Sequence, residues 1–255
     1  MKIRPTRSCH RRTKRIRRIS SIGVGTEGSA RQRKQAPTVQ LGKLLEEFGQ
    51  LFSSELSIDL DRPFEWLVAS VLFGRRISTE TAKKTFLGYR EEGLTTPERI
   101  ACASWEDLVR VHGRGGYVRY DGITATYMKE IAAKLISEYG GEVRRMDALS
   151  KGSAELEARL MELKGVGPVT AKIFLRELRG VWRNADPEPT DPEVRAAKAL
   201  GMVTVEGRAL EQLKEFWRQN RVPGYSLRNL EAALVRIGLR LRRGASLVRI
   251  LPWLA

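Results

Sequence analysis

The sequence predicts an all-α protein, and three observations support this fold class. Apolar residues recur at intervals of three and four positions through most of the chain after residue 38. No segment shows the alternation of apolar and polar residues that is typical of a half-buried strand. Residues that start helices, such as serine, threonine, aspartate and proline, precede most of the apolar runs. With 255 residues, 42% of them hydrophobic, the chain can bury a substantial core.

The predicted helices of the first two thirds of the chain follow from these patterns in order. The run after Asp61, which can act as a cap, and Pro63, in the first turn, is apolar on nearly all sides and predicts a buried central helix. Gly140 and Gly141 end a long helix, as glycines often do. The predicted helices are 39–52, 63–73, 79–89, two that begin near residues 96 and 104, 123–139 and 154–163.

A short break then interrupts the helical pattern in Leu163–Leu178, which reads LKGVGPVTAKIFLREL. Gly165 and Gly167 both allow a tight turn that a residue with a Cβ would strain. Pro168 suits the first position of the second helix, where its missing N–H costs little. The stretch therefore predicts a helix–hairpin–helix over residues 154–179. The remaining predicted helices are 191–200, 205–220 and 226–242.

The charge of the chain favours a polyanionic partner, with nucleic acid ahead of a membrane. The net charge is +16, and residues 1–36 hold 12 lysines and arginines and one acid, Glu27. We expect this segment to be a basic, disordered arm. A nucleic-acid-binding arm, an organelle-targeting peptide and an over-extended gene start are the alternatives.

Cysteine content argues against disulfides and against a cysteine-ligated metal or iron–sulfur site. Only Cys9 and Cys102 occur, far apart in the sequence. No apolar run is long enough to span a bilayer. We therefore expect an intracellular protein that binds no cofactor and no membrane.

The turn of the hairpin would expose backbone N–H groups at a helix N-terminus, where a phosphate binds well. Lysines before and after the turn add positive charge nearby. Such contacts hold a nucleic-acid backbone without reading its sequence. The alternative is a plain αα-hairpin turn in a hydrophobic core. The predicted phosphate-binding residues are Lys164, Gly165, Val166, Gly167, Val169, Thr170 and Lys172.

The hairpin and four further segments, in the same order, resemble the endonuclease III superfamily of DNA glycosylases, the helix–hairpin–helix–Gly/Pro–Asp group. The similar segments cover roughly residues 60–240; they are PFEWLVA at 63–69, YGGEV at 139–143, DPEVR at 191–195, and VPGY at 222–225 with 234–238. The resemblance implies two all-α lobes with DNA in the groove between them. One lobe is a six-helix lobe at 62–184, and the other combines 38–61 with 185–255.

The resemblance also implies a single catalytic carboxylate, and Asp191 matches it because it begins a helix in a D-x-x-V-x pattern. Cleavage of an N-glycosidic bond builds positive charge on the deoxyribose, which a nearby carboxylate stabilises while it orients or deprotonates water. Asp186, which also precedes a proline, is the alternative. The structural explanation for Asp191 is that it only caps its helix.

Three departures from the family pattern affect the expected chemistry. Val169 stands where strand-cutting members carry a Schiff-base lysine, so lyase activity would need another lysine, with Lys172 the candidate. Arg242 falls near the first cluster ligand of members that bind iron and sulfur, and no cysteine follows Cys102, so we expect no cluster. Arg75, beside Arg76, replaces the small polar residue that usually faces the gap left by an extruded base. An arginine could fill that gap by stacking, so both arginines are predicted to bind DNA.

An extruded base needs a pocket with stacking side chains. Five aromatic residues are candidates, although core packing is the favoured explanation for each: Trp66, Tyr117, Tyr120, Tyr127 and Trp182. We interpret His112 as structural.

These observations favour a monofunctional DNA glycosylase that removes a damaged or mispaired base from double-stranded DNA. Two alternatives remain open: a non-catalytic DNA-binding protein that keeps the hairpin, and a bifunctional glycosylase/lyase with a relocated lysine. We expect a monomer in the cytoplasm that associates with the nucleoid, or a nuclear or mitochondrial protein if the source is eukaryotic.

Overall fold

The computed structural model describes residues 36–254, with side chains given for residues 40–253. The predicted basic arm at residues 1–36 lies outside this part of the chain, apart from Ala36, where the first helix begins. The described residues form helices and turns and include no β-strand, so the all-α prediction is confirmed.

Fourteen α-helices follow one another in residues 36–254: α1 Ala36–Phe48, α2 Phe52–Glu55, α3 Phe64–Phe73, α4 Thr79–Glu91, α5 Pro97–Cys102, α6 Trp105–Gly115, α7 Asp121–Tyr139, α8 Arg144–Ala148, α9 Ser153–Met161, α10 Pro168–Leu178, α11 Asp191–Ala199, α12 Ala209–Gln219, α13 Leu227–Arg242 and α14 Leu247–Ile250. Two short 3₁₀ helices, Glu206–Arg208 and Pro252–Leu254, complete the described chain.

Side-chain caps explain several of the helix starts. Ser78 accepts a hydrogen bond from the Thr81 amide at 3.0 Å, and Ser104 forms a reciprocal capping box with Asp107. The expectation that Asp61 caps α3 is wrong. Pro63 occupies that position without a side-chain hydrogen bond, and Asp61 lies in the preceding turn, where its amide binds Asp59 Oδ1.

Buried hydrophobic residues form two clusters. The first is built from α2 to α10 with Ala232 and Val235 of α13, and it includes α3, which is buried on nearly all sides as its sequence predicts. The second joins α1 to α11, α12, α13 and α14. Phe52, Leu56 and Ile58 pack in the first cluster. The division of the chain into lobes at residues 62–184 and 38–61 with 185–255 stays a prediction.

Polar contacts hold α2 and the end of α1 in place. Glu177, at the end of α10, accepts the amides of Phe52 and Ser53 at 2.7 and 2.8 Å and so caps α2. On α13, Asn229 and Arg236 donate to the carbonyls of Gly49 and Phe48, both at 2.9 Å. None of the helices within residues 36–254 combines the length and hydropathy needed to cross a membrane.

Candidate active site

The hairpin turn between α9 and α10 depends on one of its two glycines. Gly165 has φ +83°, and a Cβ there would overlap the ring of Tyr127. Val166 points into the first cluster with 4% of its surface exposed. The expectation that Gly167 also relieves strain is wrong, because its φ is −97° and a Cβ there would meet no atom within 4 Å. A side chain at Gly167 would instead extend into open space.

The N-terminus of α10 leaves donors unused. Gly167 caps the helix without a side chain, and Pro168 has no N–H. Among the described residues, no hydrogen bond uses the amides of Val169 or Thr170. The Thr170 side chain is buried against Gly74, while Lys164 is exposed at the turn. This end of α10 therefore presents two free amides and a nearby cation.

A groove of about 930 Å³ runs beside α10. Its walls are the end of α3 with the following loop at 73–79, one face of α10, the segment 189–192 and the C-terminal half of α13. The groove brings together five of the residues predicted from the sequence to act in catalysis or DNA binding; they are Arg75, Arg76, Val169, Lys172 and Asp191. The turn residues Lys164 to Gly167, together with Thr170 and Asp186, do not line it.

Asp191 enters the groove as the first residue of α11. The cap of this helix is Thr190, whose amide donates to Glu193 Oε2 at 2.7 Å and whose hydroxyl shares the same carboxylate. The explanation that Asp191 is only a cap therefore does not apply. Its carboxylate is exposed and makes no hydrogen bond or ion pair with any described residue. The start of α11 packs closely against α13. A Cβ at Gly238 of α13 would overlap the Pro192 carbonyl.

Asp186 has a different environment. Its carboxylate forms ion pairs with Arg179 and Lys214, and its carbonyl accepts a hydrogen bond from Ser153 Oγ at 3.0 Å. Asp186 therefore fixes the loop between α10 and α11, and it lies outside the groove.

Aromatic residues line the groove, but only one of them was a sequence candidate. Trp66 lies there fully buried, with its indole N–H donated to the Phe174 carbonyl at 3.0 Å. Sequence analysis missed Phe52 and Phe73, whose ring centroids are 5.9 Å apart. Phe52 belongs to a different helix far away in the sequence, and no local pattern marks it as part of this wall.

Arg176 is a further residue that the sequence analysis missed. It lines the groove with 4% of its surface exposed, seven positions after Val169. Val169, Lys172, Ile173 and Arg176 follow helical spacing along one face of α10, so extending that face from Val169 would have found it.

The other predicted aromatic candidates lie outside the groove. Arg75 stacks its guanidinium over Tyr127 at 5.2 Å, next to the hairpin. Tyr117 is buried with Tyr120 packed beside it, and Trp182 packs on Phe174.

His112 is structural. It bonds the Tyr89 hydroxyl at 2.7 Å and the Asp121 carbonyl at 2.9 Å, and burial lowers its pKa to about 4. The neutral imidazole therefore serves the core and takes no part in the groove.

Arg242, which falls where the family resemblance would place a cluster ligand, is exposed at the end of α13 and lines the groove beside Arg243. In the described part of the chain, no three His, Cys, Asp or Glu residues are grouped so that they could hold a metal ion. The groove therefore combines an unpaired carboxylate, buried aromatic rings and several exposed cations.

Comparison with known proteins identifies the fold. No family model matches the chain. Its sequence is 30% identical to the ADP-ribosylhydrolase ARH3 of Gallus gallus over 113 residues, which are 44% of this chain and only 30% of that protein's length. Among solved structures it resembles the 3-methyladenine DNA glycosylase of H. pylori bound to 1,N6-ethenoadenine, with a TM-score of 0.51, 14% identity and coverage of 72% of this chain and 86% of that one. The chain has the all-helical fold of this DNA glycosylase.

Proposed function

We propose that the protein is a DNA glycosylase that hydrolyses the N-glycosidic bond of a damaged or mispaired base in duplex DNA. The observation that carries this proposal is the unpaired carboxylate of Asp191, which opens into a groove between the hairpin helix α10 and α13. The glycosylase fold of the structural neighbour supports it.

Asp191 would act on the sugar. As the bond between C1′ and the base nitrogen breaks, its electrons leave with the base and positive charge develops on the deoxyribose. The carboxylate stabilises that charge and accepts a proton from the water whose oxygen bonds to C1′. A carboxylate committed to an ion pair, as in Asp186, has less capacity for either task.

The hairpin would position the duplex. The free amides of Val169 and Thr170, at the positive end of the α10 dipole, suit one phosphate, with Lys164 nearby. Exposed arginines at the groove rim, Arg76, Arg242 and Arg243, suit further phosphates. Because these contacts reach the backbone only, binding would not depend on sequence.

The reaction would stop after base removal. Val169 is 55% exposed at the position of the Schiff-base lysine in the strand-cutting members of the family, and valine cannot form that adduct. Lys172 lines the same groove as Asp191, so the bifunctional alternative has a defined candidate. We propose a monofunctional enzyme that acts as a monomer, needs no cofactor or iron–sulfur cluster, and works where the cell keeps its DNA.

The test is a set of duplexes that each carry one altered base: uracil, thymine opposite guanine, oxidised purine, oxidised pyrimidine, alkylated purine, or adenine opposite oxidised guanine. We expect release of base from at least one duplex, leaving an intact strand that breaks only after alkali. Borohydride should trap no adduct. Lys172→Met should lower DNA affinity as much as the matched variant Lys164→Met, and neither should change the products.

Two results would overturn parts of this proposal. Strand cleavage without alkali, abolished by Lys172→Met but not by Lys164→Met, would establish the bifunctional alternative. Tight DNA binding without base release from any duplex would favour the non-catalytic protein.

A further inference from the structure

We propose that Arg176 contacts the extruded base and selects neutral bases that carry a hydrogen-bond acceptor over cationic alkylated bases. This inference rests on the proposed function, because it assigns a substrate class to the same groove. Four features of Arg176 and its surroundings support it.

The first feature is position. Arg176 lies on the face of α10 that lines the groove, one turn beyond Lys172. Its side chain is 5% exposed, and its guanidinium lies 5.5 Å from the centre of the Phe52 ring. It therefore belongs to the buried floor of the groove, whereas Arg76, Arg242 and Arg243 are exposed at the rim.

The second feature is unused hydrogen-bonding capacity. The buried Nε of Arg176 has no acceptor among the described residues. Its Nη1 lies 4.0 Å from Glu193 Oε1, beyond hydrogen-bonding distance, and Glu193 Oε2 is already occupied by Thr190. Buried donors are normally satisfied, so this N–H calls for an acceptor that the protein does not supply.

The third feature is the surroundings of this donor. The neighbouring lining residues Phe52, Phe73 and Trp66 form an aromatic wall, and Val235 adds an apolar one. A flat ring can stack on such a wall while an acceptor on its edge reaches Arg176. A phosphate would find no comparable match here, because aromatic and aliphatic side chains line the groove beside the guanidinium and the Glu193 carboxylate lies 4.0 Å from it.

The fourth feature is fixed charge. An arginine stays protonated when buried, so the floor of the groove keeps a guanidinium at any working pH. Its neighbouring carboxylate, Glu193, lies 4.0 Å from Nη1 and does not line the groove. A purine nucleoside alkylated at N3 or N7 carries a formal positive charge and would be repelled. A carbonyl on a neutral base would instead accept a charge-assisted hydrogen bond. Neutral, carbonyl-bearing bases such as uracil, hypoxanthine or 8-oxoguanine fit this site.

The experiment compares 8-oxoguanine with 7-methylguanine, two purines of similar shape that both carry an O6 carbonyl but differ in charge. Single-turnover base release is measured on ordinary duplexes, together with uracil and 3-methyladenine. Equilibrium binding is measured on 2′-fluoro duplexes, which resist hydrolysis. The parent should favour the neutral purine at least about tenfold in binding. It should do so in base release once each rate is divided by the spontaneous release rate of the same base, because a cationic purine leaves more easily on its own. Arg176→Gln should lower its use of neutral bases by about tenfold to a hundredfold, the range of a hydrogen bond to a charged group.

Further variants separate charge, hydrogen bonding and folding. Arg176→Lys keeps the charge, so it should keep the discrimination against 7-methylguanine while losing affinity for 8-oxoguanine. Arg236→Gln is the matched control, since Arg236 stacks on the same Phe52 ring at 4.0 Å but does not line the groove, and the base preference should not change. If Arg176→Gln does not fold because Glu193 is left buried, the variant that combines Arg176→Gln with Glu193→Gln replaces it.

The outcomes separate this inference from the proposed function. If the parent binds the cationic purine at least as well as the neutral one, or if Arg176→Gln leaves that ratio unchanged, the inference is wrong while the glycosylase stands. If no base is released but the 2′-fluoro duplexes show the preference and Arg176→Gln removes it, base recognition stands and hydrolysis is wrong. If neither release nor preference is seen, both are wrong.

Discussion

Two groups of charged side chains near the segment that links α10 to α11 use their charges differently. In the first group, Arg179 bonds Glu231 at 2.9 and 3.0 Å, the Pro187 carbonyl at 2.6 Å and the carboxylate of Asp186. In the groove, Asp191 has no partner among the described residues and Arg176 has an unsatisfied Nε. The charges around Arg179 are therefore committed to folding, while the Asp191 carboxylate and the Arg176 Nε in the groove remain available to a ligand.

The largest effect is expected when the two aspartates that precede a proline, Asp191 and Asp186, are replaced by asparagine one at a time. Asp191→Asn removes the carboxylate charge without changing its shape, so base release should fall by about 10³-fold or more. Its free energy of unfolding should stay within about 0.5 kcal/mol, as for exposed substitutions. Single-turnover base release and urea denaturation measure the two effects.

Asp186→Asn is the matched control for Asp191→Asn and should show the opposite behaviour. It weakens two ion pairs, one of them with the buried Arg179, and should cost about 1 kcal/mol of stability while base release per folded molecule stays near the parent value. If base release collapses in Asp186→Asn and persists in Asp191→Asn, the assignment of the two aspartates is reversed.

The next test removes Arg179, which is the centre of the first group of charges. Arg179→Met leaves Glu231 buried without its partner, so the free energy of unfolding should fall by about 3–5 kcal/mol. Urea denaturation measures this loss, and Arg183→Met, at an exposed arginine of the same segment, is the control. A loss below about 1 kcal/mol would show that this network is not what holds the two clusters together.

A smaller effect is expected in the pH dependence of the free energy of unfolding, through the buried Glu231. Burial raises the pKa of Glu231 from 4.5 to about 7, although Arg179 opposes the shift. Between these values the folded protein holds a proton that the unfolded chain has released. The free energy of unfolding should therefore fall as the pH rises from about 4.5 to about 7, by at most about 3 kcal/mol. Glu231→Gln should remove this component, and an unchanged pH profile in that variant would contradict it.

The smallest effect on folding is expected in the hairpin, where Gly167 has open space around it and Gly165 does not. Gly167→Ala adds a methyl group in open space at an ordinary φ, so stability should change by less than about 0.5 kcal/mol. Its affinity for all duplexes should fall by the same factor, because the methyl group would lie where a phosphate approaches. Fluorescence anisotropy with several duplex sequences measures this.

Gly165→Ala is the control for Gly167→Ala, since its positive φ and the Tyr127 ring should make it cost more than about 1 kcal/mol of stability. A sequence-dependent loss of affinity in Gly167→Ala would exclude a phosphate contact.

The sequence predicted the parts of the site that follow local rules. The turn residues and the helical spacing predict the hairpin and the helix start at Asp191, and both helices begin where the sequence places them. The roles of Val169, Lys172 and Asp191 stay predictions. The different environments of Asp191 and Asp186 could not be predicted, because they depend on Arg179 and Lys214 reaching one aspartate and not the other.

Arg176 and Phe52 could not be identified as residues of the groove from the sequence. A buried arginine looks like any surface arginine in a sequence, and Phe52 reaches it from a helix more than a hundred positions earlier. The strain attributed to Gly167 was wrong for a related reason, since a Gly-x-Gly pattern does not say which glycine takes the left-handed conformation.

The hydrogen bonds from Asn229 and Arg236 to the carbonyls at the end of α1 span 180 and 188 residues of sequence. During synthesis, α1 would leave the ribosome long before α13 is made. Its apolar face would therefore stay unpacked while the first cluster folds. One wall of the groove is α13, so the chain would acquire its ligand-binding surface only after translation has passed residue 242. A nascent or prematurely ended chain could thus contain a folded hairpin without an assembled site.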